Sequence, residues 1–204
     1  DLITKKLHYY YYEIWKSSFP ISFMQSSPTS VSNIQLFQSS GTDIFISSQG
    51  MYLRLFKYNP SNWSGHEIDI PSYIPPECAI YIRNNDNRLF FYSWLDSLLY
   101  SFSEGSSTPA KIQIPKVEKA SSMNLCKICI DEAGYMFLLL PSVNKVYVFD
   151  PSGSLTHQFS LKTENYYGYS DIKLFQNHLI FSNYAQSQVE FYTKKGDWVK
   201  TYGS

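Results

Sequence analysis

The chain has 204 residues, with 17 basic and 17 acidic side chains, so no net field draws it to nucleic acid or to an anionic membrane surface. No run approaches the roughly 18 apolar residues of a spanning helix, and the length fits one all-β domain. Three cysteines, Cys78, Cys126 and Cys129, are too few and oddly numbered for a disulfide framework, which points to a reducing, cytoplasmic setting. The glycosylation sequon Asn62-Trp63-Ser64 is the feature that favours secretion instead.

In chain order, the opening Asp1-Leu2-Ile3 is neither an initiating Met nor a signal peptide, so the native N-terminus is expected upstream. The aromatic run His8–Trp15 reads as one strand, with Ile21-Ser22-Phe23-Met24 as the next. From there the pattern repeats. A turn residue opens a short apolar strand at Gly41, Asn87, Gly134 and Asn177, at spacings of 46, 47 and 43 residues. Fifteen residues after each stands an aromatic ending the following strand: Phe56, Phe102, Phe149 and Tyr192.

Each unit also has a strand before its turn residue, at 33–37, 79–82, 127–130 and 172–175, and a closing strand at 67–70, 111–114, 157–161 and 198–202. Clusters such as Asn59-Pro60-Ser61, Pro151-Ser152-Gly153 and Lys194-Lys195-Gly196 supply hairpin turns. Four antiparallel strands in a period of about 40–50 residues, apolar on both faces, can be buried only by neighbouring copies. The expected fold is therefore an all-β β-propeller of four-stranded antiparallel blades, over a single domain or part of one at 1–204. Its parts are a half blade at 1–30 and blades at 31–76, 77–123, 124–170 and 171–204. Such a segment leaves two open edges, so further blades are expected elsewhere in the parent chain.

The third and fourth units resemble the NHL repeat of six-bladed propellers. The resemblance rests on Ile130-Asp131-Glu132-Ala133-Gly134-Tyr135-Met136-Phe137, on Val146–Gly153, and on the ending Val189–Gly203. The Asp that closes the second strand in that family is replaced by Leu140-Pro141 and by Asn183, and the first two units match in strand layout alone. The resemblance implies a ring of six blades, and as functions either the substrate- or RNA-recognising end of a RING-type ubiquitin ligase or a channel-centred lyase or lactonase. It speaks to fold more than to function.

No catalytic motif, metal cluster or cofactor loop is visible. Cys126 and Cys129 lie three apart on a strand, where their sulfurs diverge, and read as small buried hydrophobes. His8, His66, His157 and His178 fall in different units. Asp131 and Glu132 read as a solvated turn. What remains is display. Connections between second and third strands, and those passing between blades, leave a meander on one side. That side would present Tyr73, Trp94, Asp96, Lys145, Tyr184 and the cluster Tyr166-Tyr167-Gly168-Tyr169. Rigid aromatics of this kind anchor interfaces, so the expected function is a non-enzymatic scaffold for protein partners. Lys116, Lys119 and Lys162 on the same side suit RNA, which the neutral charge disfavours.

Overall fold

The computed structural model describes residues 6–11, 14–20, 33–38, 43–49, 53–59, 61–62, 64–83, 85–106, 108–117, 126–162 and 168–203. Every regular element among them is a β-strand, and no helix is long and apolar enough to cross a membrane. The chain divides into two compact units, 1–70 and 71–204.

In the first unit, β1 (Lys6–Tyr11) and β2 (Ile14–Pro20) form a two-stranded antiparallel sheet. The aromatic run read as one strand therefore reverses between Tyr11 and Ile14, which pair with each other. A uniform aromatic run has no Gly, Pro or Asn to signal such a reversal. The strand expected at Ile21–Met24 lies outside the described residues. A four-stranded sheet follows, with β3 (Asn33–Gln38), β4 (Ile44–Gln49), β5 (Leu53–Asn59) and β6 (Ser64–Ile68) in sequence order. Here β6 starts three residues earlier than expected, because Ser64 and Gly65 pair with Asn59 and Tyr58 directly after the turn.

The second unit holds three more four-stranded meanders. One is β7 (Cys78–Ile82), β8 (Leu89–Ser93), β9 (Leu98–Phe102) and β10 (Ala110–Gln113). The next is β11 (Lys127–Ile130), β12 (Met136–Leu140), β13 (Lys145–Phe149) and β14 (Leu155–Ser160). The last is β15 (Tyr169–Phe175), β16 (His178–Asn183), β17 (Gln188–Thr193) and β18 (Trp198–Gly203). The first strands β7, β11 and β15 run side by side, so the sheets stack through their innermost strands.

The repeated aromatics explain the stacking. Phe56, Phe102, Phe149 and Tyr192 are all buried, each opposite an apolar residue at or near the start of its unit's second strand: Ile46, Leu89, Met136 and Leu179. Phe102 stacks on Phe91 at 5.4 Å, and Tyr192 meets Phe181 edge-on at 5.3 Å. In β8 and β12 all five residues are buried, as a strand covered on both faces requires, whereas β16 alternates half-buried with buried.

Neighbouring sheets touch through the turn joining third and fourth strands. Gly153 and Gly196 hold φ of 89° and 98° in such turns. A Cβ at Gly153 would lie 2.6 Å from Ile112 Cγ2 of the preceding sheet, and one at Gly196 would collide with Phe159. Glycine is thus required twice over, for conformation and for close approach.

Candidate interaction face

Three turns joining second to third strands share one design: Trp94–Ser97, Pro141–Asn144 and Tyr184–Ser187. Each closes on a non-glycine residue at positive φ, Ser97 at 55°, Asn144 at 50° and Ser187 at 54°, the left-handed region that turns a tight bend into a following strand. The connections between sheets run beside these turns. Ile114 N donates to the Ser97 carbonyl and Leu161 N to the Asn144 carbonyl, both at 2.8 Å, while Tyr184 N donates to Gly168 O at 3.0 Å. Turns and connections therefore emerge together, forming one face of the three-sheet unit.

On that face Tyr73 and Asp96 are tied through Tyr100. The Tyr100 hydroxyl donates to Asp96 Oδ2 at 2.7 Å, and the Leu98 amide to Asp96 Oδ1 at 3.2 Å. Desolvation pushes the Asp96 carboxyl up, but the nearby Ser93 hydroxyl and the hydrogen bonds from Tyr100 and the Leu98 amide outweigh it and hold the group below its usual range. Burial, then the bond to Asp96, pushes the Tyr100 phenol up to about 12. The Tyr73 ring, 48% exposed, lies 6.0 Å from that of Tyr100. Lys111 Nζ caps both rings, at 4.3 Å from Tyr73 and 5.7 Å from Tyr100.

The other expected site residues disperse. Tyr184 is 62% exposed at its turn. Trp94 is half-buried against the core, and Lys145 is half-buried as the first residue of β13, paired with Leu140 and Ser160. Tyr166 and Tyr167 lie outside the described residues. Tyr169, expected in the displayed cluster, is instead only 1% exposed and begins β15. Its hydroxyl donates to Glu190 Oε2 at 3.0 Å, where Tyr192 also donates at 2.8 Å, and Asn183 Nδ2 donates to Glu190 Oε1 at 2.7 Å. A buried carboxylate took this tyrosine inward, a pull that the loop-like tyrosine cluster did not reveal. Sequence reasoning missed Leu95, 58% exposed at the second position of its turn. An apolar residue directly after Trp94 in a turn was the available signal.

Other polar groups serve cohesion. Asp131 is buried rather than solvated: its Oδ1 accepts the Tyr135 amide at 2.8 Å and its Oδ2 accepts Lys194 Nζ at 2.8 Å. Arg83 Nη1 donates to the Asp131 carbonyl at 3.4 Å, so this one residue touches the sheets on both sides of its own. None of Cys78, Cys126 and Cys129 is in a disulfide. Burial pushes the Cys126 thiol up to about 11 and raises the other two further. Among the described residues no group of three or more His, Cys, Asp or Glu side chains could hold a metal ion.

No protein-family model matches the sequence, and no curated protein is recognisably similar to it. Solved structures do match. Virginiamycin B lyase from Staphylococcus aureus superposes with a TM-score of 0.60 at 15% identity, over 98% of this chain and 64% of the lyase chain. A Bacteroides caccae protein of unknown function gives 0.60 at 10% identity, over 94% and 66%. BBS1N, solved in complex with ARL6DN, gives 0.53 at 15% identity, over 98% and 62%. This chain thus spans less than two thirds of the length of the lyase. At these identities the likeness is one of fold, and with the four antiparallel four-stranded sheets it establishes an all-β architecture of β-propeller blades.

Proposed function

We propose that this chain is the blade-bearing part of a non-enzymatic scaffold in a cytoplasmic protein, and that its blades are of the NHL type. The observation that carries the reading is the face holding Tyr73, Leu95 and Tyr184, three large side chains exposed on turns or connections locked to their neighbours. Tyr73 is already ordered between Lys111 and Tyr100, so binding through it costs little side-chain entropy, which is how aromatic anchors earn large contributions to affinity. A fold neighbour solved with a protein bound to it, BBS1N with ARL6DN, supports the same use of this architecture. Three cysteines, none of them in a disulfide, support a reducing compartment. The Gly134, Gly153 and Gly196 turns support the NHL assignment.

The test is a triple variant, Tyr73→Ala with Leu95→Ser and Tyr184→Ala, made in the parent polypeptide. An identified protein partner is expected to bind at least about thirtyfold more weakly, the effect of about 2 kcal/mol or more from one anchor, with the circular dichroism spectrum unchanged. Undiminished binding of every partner would remove the reading. Turnover of a small molecule that survives the triple substitution would favour the channel-centred enzyme instead.

A further inference from the structure

The outer strands of the second unit share one register. Ile112 pairs with Leu99, Phe159 with Val146 and Tyr202 with Val189, the same position in three successive sheets. Ile112 is the surface on which Gly153 of the next sheet rests, and Phe159 is the surface on which Gly196 rests. Tyr202 has the same position, carries no glycine of a following sheet among the described residues, and is 56% exposed. Val189 and Phe175 are exposed with it, on the face of the last sheet that the half-buried residues of β16 also share.

Tyr202 is also held in readiness. Its ring meets Phe191 edge-on at 5.5 Å, and its hydroxyl accepts a hydrogen bond from Lys200 Nζ at 2.9 Å. Lys200 occupies the register of His157, since the two pair with Phe191 and Val148. The His157 Nε2 lies 3.1 Å from the carbonyl of Lys194, two residues before Gly196. A carbonyl only accepts, so His157 supplies the proton. Lys200 is placed to make the corresponding bond.

We propose that this face seats a further four-stranded blade of the same polypeptide, whose turn between third and fourth strands rests a glycine on Tyr202 and offers Lys200 the carbonyl two residues earlier. The same polypeptide is the source because the lyase chain that this fold matches extends well beyond the 64% covered here, within one chain. Gly153 follows Ile112 by 41 residues and Gly196 follows Phe159 by 37. The seated glycine therefore falls about 40 residues after Tyr202.

Hydroxyl-radical footprinting of the intact parent protein, read by mass spectrometry, tests this. Tyr202 is expected to react at least about tenfold more slowly than Tyr184, at every protein concentration, and the parent sequence to carry a glycine at that distance. Equal reactivity of the two tyrosines would overturn the proposal. So would protection of Tyr202 that appears only as concentration rises, which would assign the face to a second copy, and so would a parent sequence without the glycine.

Discussion

Gly196 and Gly105 both sit at positive φ, 98° and 81°, but only Gly196 is pressed against a neighbour, and a Cβ at Gly105 would meet nothing within 4 Å. The pair separates two reasons for glycine. Gly105→Ala is expected to cost about 1 kcal/mol, the price of a left-handed backbone for an L-residue. Gly196→Ala should cost a further 1–3 kcal/mol or so, because the new methyl must displace Phe159 or its own strand. Urea unfolding of both variants measures the difference, and equal losses would show that the sheets do not meet at Gly196. At this scale the sequence was informative about glycine in turns. It was silent about Glu190, whose burial draws in Tyr169, because a strand glutamate looks the same whether it points at water or at two phenols.

At the scale of the strand and its turn, the spacing of 15 between turn residue and aromatic was legible, and its cause is now visible. In the second unit the aromatic stands at or next to the end of the third strand, opposite the residue two after the turn residue, so there the constant spacing means a constant hairpin. In the first unit Phe56 lies three residues before the end of β5 and pairs with Ile46, five after Gly41, so the same spacing spans a different hairpin. Strand ends were less legible where pairing continued past the apolar pattern, as at Ser64–Gly65. The fourth unit also shows a shift. Asn177 was the expected turn residue, but the left-handed position is Gln176, at φ 53° in the two-residue link between β15 and β16. Favourable residues for that geometry are glycine and asparagine, and glutamine there is strained. Gln176→Gly is expected to stabilise the protein by about 1 kcal/mol, read as a higher urea midpoint at unchanged slope. A lower midpoint would mean that the glutamine side chain makes a contact worth more than the strain.

At the scale of the molecule, the display face was half legible. Its location followed from meander geometry, and Tyr73, Asp96 and Tyr184 are on it. Which loop residues turn inward depended on partners distant in sequence, and Trp94 went to the core. The same face carries a pH dependence. Because the folded Asp96 carboxyl lies below its usual value, it favours the folded state above the unfolded pKa, near 4, and that contribution is lost as pH falls through the folded value. Asp96→Asn should therefore flatten the fall in stability between about pH 5 and pH 2. An unchanged acid limb, followed by thermal melts across that range, would show that Asp96 gains nothing on folding. The succession of seats, Ile112, Phe159 and Tyr202, has a last consequence. If each sheet recognises its successor by one glycine on one side chain in a fixed register, blades are interchangeable cassettes. A duplicate of residues 161–203 spliced after Gly203 would bring its own glycine to Tyr202, 37 residues on as for Phe159 and Gly196, and the array could lengthen by gene duplication without any new contact having to evolve.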